Sequence, residues 1–259
     1  MLDDFTPIIH RLPGRSIKIY AVADVHIGDS HANVKGFEKF LKRVESEDDS
    51  YIAICGDLLN FGIRAASCPT DIYMETLSPM QQIDYAVELL QPIAGKILGI
   101  VGGNHEHRGN KAVGLDPLYS VCSMLRHDGE TLQSIYRKNL AFLRVELRGK
   151  THDTYSLLLV HGKSESRMKQ FVNCVEGVNA IVHGHTHTGY VNKPARLVFT
   201  QQNNVRVEPL VSVCATSWVD YGGYAARSCF KPTATSDPQA LLLEYTGTNN
   251  RKGQIRVVW

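Results

Sequence analysis

The sequence predicts an α/β fold, and three observations support it. Short runs of β-branched and aliphatic residues alternate with segments of helical period. Five of those runs end at a small cluster of Asp, Asn or His, the usual placement of active-site groups at strand ends in α/β proteins. The C-terminal third reads instead as strands without helices between them.

The five runs are Ile17 to Ala23, Tyr51 to Cys55, Ile97 to Val101, Tyr155 to Val160 and Ala180 to Val182. Each is apolar at consecutive positions, as expected of a strand covered on both faces. Between them, Val34, Phe37, Phe40, Leu41 and Val44 fall on one helical face, and so do Met80, Ile83, Val87 and Leu90. Asp116 before Pro117 reads as an N-cap and a first-turn proline. In the last third, Val198, Val205 to Val207, Leu210 to Ala215, Leu241 to Tyr245 and Ile255 to Trp259 are the strand candidates. With 259 residues, 43% of them hydrophobic, and no linker-like stretch, residues 1–259 are expected to form a single domain with one substantial core.

The clusters at the strand ends carry the chemistry. They are Asp24 and His26 in ADVH, Asp57 in GDLLN, Asn104 in GGNHE, His161 in LVHG, and His185 with His187 in GHTH. A nitrogen and oxygen donor set without thiolate suits Mn first, with Fe, Zn, Ni or Co as the other candidates, over a copper or iron-sulfur centre. Two divalent ions held about 3.5 to 4 Å apart clamp the attacking and leaving oxygens of a phosphate ester. At an effective dielectric near 20 such ions repel by roughly 17 kcal/mol, so an anion must bridge them. Asp57, alone between the other clusters, is the natural bridge, with one oxygen facing each ion, and Asp24 adds a second negative charge. Two dications, two carboxylates and one hydroxide leave about one positive charge, which suits an anionic phosphate.

Taken together, DxH, GD, GNHE, a lone His and GHxH resemble the pattern of the calcineurin-like metallophosphoesterase superfamily, over roughly residues 17 to 217. The resemblance implies a four-layer α-β-β-α sandwich, two mixed β-sheets flanked by helices, with the strand-only tail in the second sheet. It also implies that Asp24, His26, Asp57 and His187 hold one ion, and Asp57, Asn104, His161 and His185 the other. His105 takes the position that protonates the leaving oxygen or steadies the transition state. One departure is specific. The phosphoprotein phosphatase branch has Asp then Arg three residues after the bridging Asp, the Asp pairing with the catalytic His; this chain has Asn60 and Phe61. A neutral Asn60 in that place would stabilise a His105 imidazolium less than a carboxylate does. ADVHIGD is closer to the opening of the recombination-repair nuclease branch, in which a His commonly stands at the position of Asn60.

The expected activity is hydrolysis of phosphodiester bonds, in a nucleic acid or nucleotide substrate, by attack of a metal-bridging hydroxide, with Asp57, Asn104 and His105 as the catalytic set. Arg64 and Arg108 follow ligand clusters and are the candidate phosphate-binding residues. A phosphomonoesterase acting on phosphoprotein or small molecules is the alternative, and an idle binding scaffold a further one, although the intact ligand set argues against it. Glu106 is expected to brace the His105 loop. The segments 61–79 and 217–238 are expected to rim the site; Trp218, Tyr221 and Tyr224 are aromatic candidates for stacking a base, with core or rim packing the plainer expectation.

A formal charge of +2 excludes the strong basic bias of a dedicated nucleic-acid coat. Arg137, Lys138, Arg144, Arg148 and Lys150 are expected on a solvent face. Six cysteines lack CxxC spacing and read as reduced, buried thiols. The opening MLDDFTPIIHRLPG contains neither a signal peptide nor a membrane span, so a cytoplasmic protein without a membrane partner is expected.

Overall fold

The computed structural model describes residues 4–64, 69–148, 152–199, 201–227, 229, 232, 237–246 and 255–258. In chain order its elements are β1 (Ile8–Leu12), β2 (Ser16–Val22), α1 (Val34–Ser46), β3 (Ser50–Cys55), α2 (Pro79–Leu90), β4 (Ile97–Val101), α3 (Glu106–Val113) and α4 (Pro117–Met124). A small hairpin of β5 (Arg126–His127) and β6 (Glu130–Thr131) follows, then β7 (Tyr136–Arg137), β8 (Leu140–Arg148), β9 (His152–Val160), α5 (Glu165–Cys174), β10 (Ala180–His183) and β11 (Tyr190–Asn192). The chain continues through β12 (Ala195–Phe199), β13 (Val205–Pro209), β14 (Val211–Cys214), α6 (Gly223–Arg227), β15 (Ala240–Glu244) and β16 (Arg256–Val258).

Two six-stranded mixed sheets are stacked, one ordered β16-β15-β2-β3-β4-β7 and the other β1-β8-β9-β10-β14-β11. Ile17, Ile19, Ala53, Leu98, Leu241 and Leu243 of the first interleave with Leu143, Val145, Leu157, Leu159, Val182 and Val213 of the second. The outer face of the first sheet is covered by α1, α2 and α4 through Phe37, Phe40, Leu41, Ile83, Leu90, Leu118 and Val121. Val172 of α5 covers Leu158 and Ile181 on the other side. This is the four-layer α-β-β-α sandwich, and burial of both faces of β3 and β4 explains why those strands are apolar throughout.

The helix ends follow from local chemistry. Asn33 accepts the Gly36 amide through its side chain at the start of α1, Ser78 and Gln81 form a reciprocal capping box on α2, and Asp116 accepts from the Tyr119 amide before Pro117 in α4.

The tail departs from expectation. It divides between the sheets: β14 lies parallel to β10 in one, β15 lies antiparallel to β2 in the other, and β12 with β13 forms a separate ribbon. A short helix, α6, interrupts it. Period-two patterning marks a strand but does not say which neighbour it pairs with. Met80 of α2 is exposed while Gln82 is fully buried, because the Gln82 amide is needed beneath the site. Arg137 is buried too; its guanidinium donates to the carbonyls of Thr6, Ser134 and Tyr136. Cys55, Cys122 and Cys214 are buried, but Cys174 and Cys229 are exposed, and Cys68 and Lys150 lie outside the described residues. No described helix is long and apolar enough to cross a membrane.

Leu159 sits between the sheets, where the missing side chain of Gly99 admits it. Leu159→Ala is expected to lower unfolding stability by about 2 to 5 kcal/mol, measured by denaturant titration. Leu197→Ala on the exposed face of β12 should change it by less than about 0.5 kcal/mol.

Candidate metal centre

The clusters meet because β2, β3 and β4 run parallel in one sheet and β9 and β10 run parallel in the other. Each cluster follows the carboxyl end of its strand, so all five open on the same rim of the sandwich. There, His26 Nε2 lies 3.3 Å from His187 Nε2 and 3.9 Å from Asp24 Oδ1, and His187 Nε2 lies 3.6 Å from that same oxygen. A second group adjoins it: His161 Nε2 is 3.2 Å from Asp57 Oδ2, 3.0 Å from Asn104 Oδ1 and 3.2 Å from His185 Nδ1. His185 Nδ1 in turn is 2.8 Å from Asn104 Oδ1. Asp57 Oδ2 stands between the groups, 3.8 Å from His26 Nε2. The other oxygen, Oδ1, accepts the His105 amide at 2.9 Å. One oxygen of Asp57, and not one for each group as expected, therefore faces both sides.

Donor clusters this tight could each hold a cation. The strongest sign that one fits is Asp24, fully buried, whose Oδ2 accepts the His185 amide while Oδ1 has no hydrogen-bond partner. A buried carboxylate oxygen without a donor is costly unless a cation meets it.

The backbone is bent to make this arrangement. Asp24, His26, Asp57, His185 and His187 all have positive φ, between 49° and 75°. Each such residue costs on the order of 1 kcal/mol, and strain of this kind gathers at functional sites. Glu106 holds the turns in place: Oε2 accepts the amides of Asp57 and Gly103, and Oε1 accepts that of Leu59. Burial, followed by the nearby Asp57 carboxylate, raises its carboxyl to about 7. Gly103 is required by space, since a Cβ there would lie 2.1 Å from Asp57 Oδ1.

Outer partners orient the rings. His161 Nδ1 donates to the Cys55 carbonyl at 2.8 Å. Ser217 Oγ donates to the Asp24 carbonyl, so it accepts from His187 Nδ1 at 3.1 Å. Both imidazoles are thereby turned with Nε2 inward, the usual function of a metal site's outer shell. Burial lowers His161, but Asp57 and Asp24 outweigh it and raise the imidazole to about 10. Burial and the neighbouring His161 lower His185 to about 4. Burial raises Asp57, yet the surrounding His161, His105 and His26 hold it well below the usual carboxylate range.

His105 stacks edge-on against His26, with Nε2 at 3.9 Å from Asp57 Oδ2. Its Nδ1 donates to the Asn60 backbone carbonyl at 2.6 Å. The Asn60 side chain does not reach His105: Oδ1 faces His26 Nδ1, and Nδ2 faces Glu75. Exchanging a carboxylate for an amide at position 60 therefore acts first on His26. Arg108 Nη2 lies 3.0 Å from His105 Nε2, beside the centre. Arg64 is exposed and lines a cleft of about 490 Å³ with Gly62, Ile63, Ile72, Glu75 and Thr76. Trp218 is a core residue packed on Phe37 and Phe40, whereas Tyr221 is exposed. The Tyr224 side chain and parts of both rim segments, 65–68, 228, 230–231 and 233–236, lie outside the described residues. Ser217 and Glu75 escaped sequence reasoning because neither carries a motif; each is recognisable only through its partner.

Comparison with known families matches residues 17–189 to the calcineurin-like phosphoesterases. The chain belongs to this family. It is a hydrolase of phosphoester bonds, in a family that depends on metal. Solved structures that resemble this calcineurin-like phosphoesterase include the Bacillus subtilis phosphoesterase YfkN, at 13% identity over 94% of this chain and 90% of that one with a TM-score of 0.44. Chaetomium thermophilum Vps29 matches at 12% identity over 95% and 94% with a TM-score of 0.36. Haemophilus influenzae NAD nucleotidase matches at 11% over 94% of this chain and 49% of that one, with a TM-score of 0.41. Among curated proteins none matches this chain.

Gly103→Ala forces Asp57 aside and is expected to weaken Mn²⁺ binding by about tenfold or more while circular dichroism stays that of the parent. Calorimetric titration of the two proteins makes the comparison, and equal affinities would show that the Asp57 turn tolerates displacement.

Proposed function

We propose that this calcineurin-like phosphoesterase binds two divalent ions, Mn²⁺ foremost, and hydrolyses phosphodiesters of nucleic acid or nucleotide character. Asp24, His26, Asp57 and His187 form one ion's ligand set and Asp57, Asn104, His161 and His185 the other's. The observation that carries the two-ion reading is the position of Asp57 Oδ2, within 3.8 Å of His26 on one side and 3.2 Å of His161 on the other. When bound, the ions supply a lowered water pKa and Lewis-acid stabilisation of phosphoryl charge.

The chain's own residues supply the rest. Asn104 and Arg108 face the phosphoryl oxygens, Arg108 turning from His105 as the anion arrives. His105 keeps its Nδ1 proton on the Asn60 carbonyl while its Nε2 accepts from Arg108, and burial lowers the ring's pKa, so Nε2 must first take up a proton before it can pass one to the leaving oxygen. The diester preference is supported by Phe61, which is buried at the position of the phosphatase Arg and leaves fewer cations for a dianionic monoester. Arg64 and its cleft are suited to the leaving group.

Purified protein with Mn²⁺ is expected to cleave bis-p-nitrophenyl phosphate and a nucleic acid. Asp57→Asn and His185→Ala should each lose at least about 100-fold, since even outer-shell changes cost 10 to 100-fold. Turnover of monoesters alone would overturn the diester reading in favour of a phosphomonoesterase. Fewer than one ion bound per chain would indicate a binding scaffold, and a rate that survives EDTA would count against the metal-dependent mechanism.

The raised His161 sets a pH dependence. At pH 7 its metal-free ring retains a proton, because its pKa is about 10, and a cation must displace that proton. Affinity should therefore rise with pH by about tenfold per unit from 7 towards that value, for one proton released. Calorimetry in buffers of different ionisation enthalpy counts the proton directly.

A further inference from the structure

Beneath the His26 side of the centre lies a part-buried hydrogen-bonded chain that the proposed reaction does not itself use. His26 Nδ1 and Asn60 Oδ1 are 3.1 Å apart, and Asn60 Nδ2 is 2.8 Å from Glu75 Oε1. The same Glu75 oxygen meets the Gly62 amide at 2.6 Å, and Oε2 meets Gln82 Nε2 at 2.7 Å. Gln82, fully buried, meets the Phe61 amide through Oε1 at 2.9 Å. The pocket is shaped around these groups: a Cβ on Gly62 would lie 2.1 Å from Glu75 Oε1, and one on Gly28 2.7 Å from Glu75 Oε2. The Thr76 amide donates to the Gly28 carbonyl at 2.7 Å, tying the Glu75 segment to the loop that follows His26.

Donor and acceptor roles along this chain follow one from the next. A backbone N–H can only donate, so the Phe61 amide makes Gln82 Oε1 an acceptor and Gln82 Nε2 a donor. Glu75 then receives Gln82 on one oxygen and the Gly62 amide on the other, an arrangement that suits a carboxylate; burial raises its pKa, and the Gly62 and Asn60 hydrogen bonds work against that rise. Facing that carboxylate, the Asn60 amide must present its NH₂ group, so its carbonyl oxygen must face His26. An amide oxygen accepts only, and His26 is left with its proton on Nδ1 and its lone pair on Nε2, towards Asp24 and His187.

We propose that Glu75 is a positioning residue for the metal centre: acting through Asn60, it fixes the tautomer of His26 so that Nε2 is free to take a cation. Glu75 touches neither the cation nor the substrate, and the route rests on the metal reading above. A carboxylate acting directly on His26 would also raise the ring's basicity; with a neutral Asn60 interposed, the relay orients the ring without adding a negative charge beside Asp24 and Asp57.

Two measurements test it. In metal-free protein labelled with ¹⁵N-histidine, nitrogen shifts are expected to show His26 protonated at Nδ1, with the signals assigned by their loss in His26→Asn. Protonation at Nε2 in the parent would overturn the proposal without any variant. Glu75→Gln, whose amide can turn either way, should give a mixture of tautomers and weaken one of two Mn²⁺ sites by about tenfold or more, leaving the other unchanged. In an Asn60→Ala background the same Glu75→Gln change should cost nothing further; an equal loss in both backgrounds would show a general structural effect and sink the relay. Failure of the parent to bind Mn²⁺ at all would remove the metal reading, while the tautomer measurement in metal-free protein would still decide the relay.

Discussion

Two buried carboxylates govern this structure. Asp24 and Asp57 are almost completely withdrawn from water at the junction of the two sheets, where an isolated negative charge is strongly disfavoured. Everything nearby answers that constraint. Five imidazoles and an amide surround the pair, backbone amides of His105 and His185 donate to it, and one oxygen of Asp24 has no hydrogen-bond partner. The arrangement stores unfavourable charge and backbone strain, and the surrounding sandwich holds both in place.

That rigidity comes from outside the site. Glu106 gathers three amides from two turns, and the apolar contacts between the sheets leave the strand ends little freedom. Ser217, Asn60 and the Cys55 carbonyl then orient individual rings. Burial, which raises the cost of each charge, also strengthens every hydrogen bond made to it, so the same low-dielectric setting that threatens the centre gives it precision.

The position three residues after Asp57 illustrates how residue identity and placement differ. Asn60 looks in sequence like a weakened partner for His105. In the fold its backbone serves His105 and its side chain serves His26, so the consequence of the Asn passes to a different ring. Arg108, expected to bind phosphate, stands beside His105 Nε2.

Much of the chain was legible before any coordinates. The five strands with their trailing clusters, the amphipathic α1, the capped α4 and the layered α/β class follow from local rules, because burial on two faces, helical period and capping each act over a few residues. The donor groups that meet at the rim were legible as candidates because a cation demands particular residue types. Tertiary structure alone decided the rest. Which sheet received β14 and which β15, why Arg137 and Gln82 are buried, and that Glu75 lies under Asn60 depend on contacts between residues far apart in sequence. Local composition names the groups a site needs. Only the packing of two sheets face to face determines which atom of each group faces inward.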